Sequence, residues 1–270
     1  MPELPEVEFA RRSLEKWLVG EKLARVEADK SRILRGSTPA ALEKLAGHVV
    51  LGVERRGKQL LVRLDGGAGL LGHLGMTGKF ELQRPGGPEV RWSRARLGRG
   101  DGAVVHYRDP RMLGLLRPGA LAELEASASW ADLGPDAWET KLTGALLKER
   151  LGKRKKSIKE ALLDQTALAG IGNIQATEAL WKAKLAPAQR ADRLSTNDFA
   201  ALAKAIRWSL ERTLGAESGE TITYVEENPA ENPFTIYGRA GEKCPRCKTV
   251  LKKKTIGGRT TAFCPKCQQA

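Results

Sequence analysis

The chain lacks any uninterrupted apolar run close to the roughly 18 residues that a membrane-spanning helix requires. Its opening residues, MPELPEVEFA, also lack the basic and apolar regions of a secretory signal peptide. Hydrophobic residues make up 41% of the 270 positions and charged residues 29%, which excludes global disorder and fibrous repeats. We therefore expect a soluble cytoplasmic protein that makes no membrane contact and is long enough for more than one domain.

Positive charge is abundant, and it is concentrated in two segments. The net charge is +14, yet residues 239–270 contribute +8 and residues 141–159 contribute +7, so the rest of the chain sums to −1. Such concentration predicts a polyanion as partner. Two solvated basic faces or an anionic membrane surface are the alternatives. Two separate basic runs in a chain that is otherwise near neutral favour nucleic acid.

Cysteine is scarce, and all four copies follow the pattern C-x2-C-x16-C-x2-C. They are Cys244, Cys247, Cys264 and Cys267. This spacing is typical of a four-thiolate zinc site. Two disulfides are the alternative, but they need an oxidising compartment that nothing in the sequence indicates. Because protein ligands would fill every position, we predict one structural Zn2+ with no open site for catalysis.

The segment between the two cysteine pairs predicts a β-hairpin. Gly257 and Gly258 lie midway between the pairs and favour a turn. So few apolar residues surround them that metal binding and folding should be coupled. The basic residues 252–254, together with Arg259, would direct this finger toward phosphates.

The texture of the remaining chain predicts an α+β multidomain protein. An apolar stripe over 5–19 predicts a helix that ends at Gly20. Short β-like runs then predict a sandwich or flattened barrel, at 48–53, 59–64, 69–74, 78–82 and 103–107. From about residue 133 the pattern becomes helical, with predicted helices at 140–151, 157–165, 173–183 and 196–214. A sharp glycine turn at 170–172 precedes the third of these helices.

Several short motifs occur in order along the chain. They are PELPEVE at 2–8, HLGMTG at 73–78, DPR at 109–111, GIGNI at 170–174 and YGR at 237–239, followed by the four cysteines. Together they resemble the formamidopyrimidine-DNA glycosylases across essentially the whole chain. The resemblance implies an N-terminal β-sandwich over 1–132 and a helix–two-turn–helix domain over 133–235 with a lesion-capping loop at 217–235. A β-hairpin zinc finger over 236–270 completes the expected fold.

The resemblance also implies the reaction and its partners. We expect a monomeric glycosylase and AP lyase that acts on damaged double-stranded DNA in the cleft between its lobes. It would use no organic cofactor and would associate with the bacterial nucleoid through DNA. Oxidised purines, meaning formamidopyrimidines and 8-oxoguanine, are the predicted substrates. Oxidised pyrimidines, as in the related endonuclease VIII branch, are the first alternative, and a non-catalytic DNA-binding homologue is the second.

The expected catalytic residues begin at the N-terminus. Removal of Met1 would leave Pro2 with a secondary amine, and α-amino groups have pKa values of roughly 7.7–8.0, so part of the amine is neutral and nucleophilic. Glu3 is the natural proton carrier beside it. Glu6 would either steady the amine or simply favour the helix dipole. By resemblance, Lys58 contacts the lesion's phosphate and assists δ-elimination, and Arg259 is the finger arginine of the catalytic set.

The expected DNA-binding residues come from both halves of the chain. By resemblance, Met76 fills the gap left by the extruded nucleotide and Arg111 faces the orphaned base. Leu113 departs from the family, which usually has an intercalating phenylalanine at this position. Residues expected to contact phosphate or supply positive field complete the set: His73, Lys155, Asn173 and Arg259.

Overall fold

The structure, a computed structural model, describes residues 2–216, Tyr224 and residues 232–269. The described chain divides into two compact units: residues 2–132 with Tyr224, and residues 133–216 with 232–269. None of the described helices is long and apolar enough to cross a membrane. The predicted lesion-capping loop at 217–235 lies outside the described residues, except for Tyr224 and residues 232–235.

The first unit begins with helix α1, Leu4–Leu18, which confirms the predicted N-terminal helix. Glu3 is its N-cap residue, and the backbone N–H of Glu3 donates to Glu6 Oε2 at 2.8 Å. This contact satisfies a donor that the start of a helix leaves without an intrahelical partner. The buried face of α1 carries Val7, Leu14 and Leu18 into the core of the unit. The helix ends just before Gly20, whose φ of +85° suits glycine.

Two four-stranded antiparallel sheets form the body of the first unit and confirm the predicted β-sandwich. Their strands are β1 Leu23–Ala28, β2 Val50–Arg56, β3 Gln59–Leu64, β4 Ala68–His73, β5 Lys79–Gln83, β6 Ser93–Arg99, β7 Val104–Arg108 and β8 Leu115–Ala120. One sheet has the order β1-β6-β7-β5 and the other β2-β3-β4-β8. Buried side chains from both sheets and from α1 share one hydrophobic core.

Three strands, β1, β6 and β8, and three short helices were absent from the sequence prediction. Strand β8 contains Pro118 and Gly119, which ordinarily indicate a turn, but it lies at a sheet edge where proline is tolerated. Strand β6 alternates small or apolar residues with arginines, so few of its side chains signal burial. The short helices are α2 Pro39–Glu43, α3 Leu121–Ala126 and α4 Ala128–Ala131.

The second unit contains the predicted helices and the predicted hairpin. Its elements are α5 Gly144–Leu151, α6 Ile158–Leu163, α7 Asn173–Lys182, α8 Thr196–Ala216, β9 Lys252–Ile256 and β10 Arg259–Phe263. The predicted start of α5 at residue 140 was wrong because Thr143 caps the helix: its Oγ1 accepts the N–H of Leu146 at 3.1 Å. Gly257 and Gly258 form the turn of the hairpin with φ of +55° and +70°. These elements confirm the α+β architecture with a helical domain and a C-terminal finger.

Candidate active site and metal centre

The N-terminal residues expected to carry the chemistry are buried. Pro2 and Glu3 are both buried directly before α1, and Glu3 is 0% exposed. Glu6 lies one turn further along the helix, where burial and the charge of Glu3 raise its pKa to about 7. A carboxyl with that pKa is partly protonated near neutral pH, so it can hold or release a proton there. Glu3 and Glu6 therefore form a pair of acids joined by the 2.8 Å contact described above.

Lys58 and His73 lie side by side in the first unit. Lys58 follows Gly57 in the turn between β2 and β3, and Gln59, the next residue, pairs with His73 across β3 and β4. Burial, followed by the charges of Lys58 and Arg35, lowers the pKa of His73 to about 4. His73 Nδ1 accepts the N–H of Gly75 at 3.0 Å, which leaves the proton of the neutral ring on Nε2. The predicted contact of His73 with phosphate would therefore come from a neutral donor.

Met76 lies in the tight turn after β4 and its side chain is 39% exposed. Glycine is required on both sides of this turn. A Cβ at Gly75, which has φ of +66°, would lie 2.5 Å from the backbone nitrogen of Gly114. A Cβ at Gly78 would lie 2.3 Å from the hydroxyl of Tyr107. The turn therefore packs closely on its neighbours and presents an apolar side chain to solvent, as a wedge into DNA requires.

Asp109 holds the Met76 turn against the loop that carries Arg111 and Leu113. Its fully buried carboxylate accepts the Thr77 hydroxyl at 2.6 Å, the Arg111 N–H at 3.2 Å and the Gly114 N–H at 2.8 Å. The structure thus brings three sequence-predicted residues together at one edge of the unit, with the Arg111 side chain exposed and Leu113 half-buried. Sequence reasoning missed the role of Asp109, although an Asp-Pro turn directly before Arg111 was the available signal.

Asn173 and Arg259 are neighbours in the second unit. Asn173 is the first residue of α7, and its Nδ2 donates to the carbonyl of Thr260, the residue after Arg259, at 3.1 Å. This bond joins the start of a helix, which attracts anions, to the exposed start of β10. Lys155 is also exposed, in the basic segment between α5 and α6. Of the residues expected to bind phosphate in this unit, Lys155 and Arg259 are thus exposed cations, and Asn173 lies at a helix N-terminus.

The four cysteines form a compact group of free thiols. Their Sγ atoms all lie within 4.8 Å of one another, and Cys244 and Cys264 are buried. Tetrahedral zinc with Zn–S bonds of about 2.3 Å needs sulfur atoms within roughly 4 Å of one another, so this donor set fits one structural Zn2+. The group lies in a small apolar cluster with Trp181 of α7 and Leu251. The finger is therefore attached to the helical part of its unit through the metal-binding end.

Two further residues that the sequence reasoning missed hold loops in place. Glu178 of α7 is 2% exposed, and its carboxylate accepts the backbone N–H groups of Thr235, Ile236 and Tyr237 at 2.8–2.9 Å. In the first unit, the hydroxyl of Tyr224 donates to the Gly78 carbonyl at 2.6 Å, next to the Met76 turn. Neither residue has a local sequence signal, because each acts through partners more than 50 positions away.

Comparisons with known proteins match nearly the whole chain. Family models match at three places: the formamidopyrimidine-DNA glycosylase N-terminal domain at residues 1–116, its H2TH domain at 133–225, and a zinc finger found in FPG and IleRS at 241–270. The formamidopyrimidine-DNA glycosylase of Roseiflexus sp. (strain RS-1) is 38% identical, with 100% of each chain covered. That of Lactiplantibacillus plantarum is 33% identical, with 98% of each chain covered.

Solved structures give the same result. A Lactococcus lactis Fpg (MutM) bound to DNA containing an oxidised pyrimidine has a TM-score of 0.87, with 33% identity and full coverage of both chains. A MutM bound to DNA containing carbocyclic 8-oxo-G also has a TM-score of 0.87, with 34% identity and full coverage of both chains. Sequence identity above 30% over whole chains indicates a closer relationship than a shared fold alone.

Proposed function

Because the chain belongs to the formamidopyrimidine-DNA glycosylase family, we propose that it excises oxidised purines from duplex DNA and then cleaves the strand at the abasic site. The observation that carries this function is the buried Pro2–Glu3 pair at the start of α1. A protein that only binds DNA has no need of a secondary amine beside a buried acid. The mechanism below assigns each step to residues of this chain.

Pro2 is the nucleophile once Met1 is removed. Its neutral amine attacks C1′ of the damaged nucleotide, the glycosidic bond breaks, and the base leaves with the proton that the amine nitrogen loses. An iminium between the proline nitrogen and C1′ forms when the sugar ring then opens. Glu3 donates a proton to the sugar ring oxygen as the ring opens. The iminium then acidifies C2′, so the Glu3 carboxylate takes up a C2′ proton and the 3′-phosphate leaves by β-elimination. Lys58 contacts the lesion's phosphate and assists the second, δ-elimination.

Glu6 supports Glu3 and the N-terminal amine. Its raised pKa follows from burial beside another carboxyl, an arrangement in which one acid holds a proton more readily than an isolated one. The Glu3 N–H bond to Glu6 also fixes the backbone directly after Pro2. We therefore propose that Glu6 positions the backbone after Pro2 and can hold a proton, while Glu3 performs the proton transfers.

The loops held by Asp109 bind the extruded-base region of the duplex. Met76 fills the space that the flipped nucleotide leaves, and the Arg111 guanidinium donates to the orphaned base, where paired donors favour cytosine. Leu113 adds an apolar contact without an aromatic face. Base stacking at that position is therefore weaker than a phenylalanine would give.

The second unit binds the phosphates of the DNA electrostatically. Arg259 and Asn173 contact phosphates from one place, Lys155 contributes positive field, and the zinc-bound finger holds Arg259 in position. Such binding is independent of sequence and weakens with salt, which suits an enzyme that searches undamaged DNA. It would also keep a monomeric cytoplasmic enzyme associated with the nucleoid.

A cleavage panel tests lesion preference directly. Duplexes containing a formamidopyrimidine, 8-oxoguanine or an oxidised pyrimidine opposite each of the four bases would be cut under single-turnover conditions. The proposal predicts faster excision of both purine lesions, with cytosine the best opposite base. Faster excision of the pyrimidine would reverse the assignment in favour of the alternative below.

Oxidised pyrimidines are the second candidate substrate class. A related Lactococcus lactis enzyme has been crystallised with DNA containing an oxidised pyrimidine, so the family scaffold accommodates such a base. The relative excision rates of the purine and pyrimidine lesions in the cleavage panel distinguish the two substrate classes.

A further inference from the structure

Two candidate catalytic elements come from distant parts of the first unit, and a buried ion pair joins them. Helix α1 begins directly after Pro2 and Glu3, whereas Lys58 belongs to the β2–β3 turn. Arg55, near the end of β2, donates from Nε to Glu8 Oε2 of α1 at 3.0 Å. The two side chains are only 1% and 5% exposed, so solvent does not compete for this contact.

The same guanidinium also holds the turn that carries Lys58. Arg55 Nη1 donates to the carbonyl of Gly57 at 3.0 Å. That carbonyl belongs to the peptide bond whose nitrogen is the backbone nitrogen of Lys58. Gly57 has φ of +59°, a conformation that glycine adopts readily and other residues rarely do. One arginine therefore contacts both the catalytic helix and the peptide bond at Lys58.

Glu8 is charged in this arrangement. Burial on its own would raise the pKa of Glu8, but hydrogen bonds and charges from Arg11 and Arg55 outweigh it and lower the pKa below its ordinary value. Arg12 Nε also donates to Glu8, at 2.9 Å. Charge-assisted hydrogen bonds are shorter and stronger than neutral ones, so the Glu8–Arg55 link is stiff as well as buried.

We propose that Arg55 is a positioning residue for Lys58 and that it acts through Glu8 and Gly57. The inference rests on the proposed function, because it assigns a reason for the placement of a residue used in the second elimination. A lysine in an isolated hairpin turn would move with that turn, and catalytic groups must be held to within roughly 0.5 Å of their productive positions. Arg55 supplies this constraint by fixing the turn against the helix that presents Pro2.

The test uses Arg55→Lys and measures the ratio of β-elimination to δ-elimination products. Lysine keeps the charge, but a single ammonium cannot reproduce the fork that reaches Glu8 and Gly57 together. With full-length protein and a duplex containing an abasic site, we expect the δ-elimination product to form about tenfold more slowly. Borohydride trapping and the Kd for the DNA should stay within about twofold of wild type. Arg63→Lys is the matched control, because Arg63 pairs with Glu54 at a more exposed place on the same sheet.

The ratio of β-elimination to δ-elimination products distinguishes a positioning role of Arg55 from a general structural one. An unchanged ratio of β to δ products in folded Arg55→Lys protein would overturn the inference, and so would an equal loss of trapping and both eliminations. Glu8→Gln provides a second variant if Arg55→Lys does not fold, with the same direction and a smaller effect expected. Failure of wild-type protein to trap abasic DNA would overturn the proposed function and this inference with it, so the two failures are distinguishable.

Discussion

The two units of this protein are both basic, but they place their charges differently. Residues 1–132 hold 22 Lys or Arg against 17 Asp or Glu, and residues 133–270 hold 24 against 15, so the net charges are +5 and +9. In the first unit the acids that matter, Glu3, Glu6 and Asp109, are buried and hydrogen-bonded. In the second unit the cations that matter, Lys155 and Arg259, are exposed.

This difference follows from the two tasks. A proton carrier needs a fixed position, and burial with hydrogen bonds provides it at a cost in stability. A phosphate ligand needs only to neutralise charge on a surface, so exposure is sufficient. Among the residues assigned a role above, burial therefore distinguishes the acids proposed for catalysis from the cations proposed for phosphate binding. The variants below test that distinction by changing one unit at a time.

The largest expected effect is the loss of chemistry without the loss of binding. Glu3→Gln keeps the size of the side chain but removes the acid, so we expect base excision to slow by roughly 10²–10⁴-fold. The Kd for lesion-containing DNA should change by less than about twofold, as measured by fluorescence anisotropy. Glu15→Gln, at an exposed position of the same helix, is the control. Comparable losses of excision and affinity would contradict the role assigned to Glu3.

The converse change weakens DNA binding and leaves the proposed catalytic residues intact. Cys264→Ser takes away one of four zinc ligands, and we expect zinc content to fall from one per chain to near zero and DNA affinity to fall by about 100-fold. Metal analysis and binding titrations measure the two quantities. Wild-type protein stripped of zinc and then resupplied with it controls for damage elsewhere. Unchanged affinity after verified zinc loss would remove the finger from DNA binding.

Glu6 gives a pH-dependent effect on stability. Its pKa is raised from 4.5 to about 7 in the folded protein, so between those values the folded state binds a proton that the unfolded state has lost. Stability of wild type relative to Glu6→Gln should therefore fall by about 3 kcal/mol as pH rises from 4.5 to 7. Urea unfolding of both proteins across this range measures it. A difference that stays constant with pH would show that Glu6 is ionised without penalty.

The smallest expected effect concerns the opposite base. Leu113→Phe introduces an aromatic face, and stacking on a base contributes about 1–3 kcal/mol in other proteins. Because Leu113 is half-buried, we expect a gain of only about threefold to tenfold in discrimination between opposite bases. The same change at the exposed Leu51 is the control. Equal discrimination by wild type and variant would remove Leu113 from this role.

Much of the fold was predictable because its signals are local. The stripe of α1, the glycine turn before α7 and the cysteine spacing each depend on residues close together in sequence. Strand β8 was missed because its Pro118 and Gly119 carry a turn signal that only the sheet edge overrides. Tertiary position, which the local sequence does not contain, decided that case.

The candidate site likewise contains residues that the sequence predicts and residues that only the folded chain reveals. Pro2, Glu3 and the cysteines were predicted from short motifs whose chemistry is contained in the residues themselves, whereas the role of Lys58 was predicted only from the family resemblance. Asp109, Glu178 and Arg55 act by accepting or donating hydrogen bonds to loops, and only the folded chain shows which loops those are. Shifted pKa values were equally hidden, since the lowered pKa of His73 depends on its burial and on the charges of Lys58 and Arg35, which lie outside its own strand.

The central claim is that the buried N-terminal proline forms a covalent bond to the sugar, and borohydride trapping tests it most directly. Protein whose N-terminus is confirmed as Pro2 would be mixed with a duplex containing an abasic site and reduced with sodium borohydride. We predict a covalent protein–DNA complex whose cross-linked peptide contains Pro2. Binding of the DNA with no trapped complex, or a complex linked through a lysine instead, would contradict this mechanism.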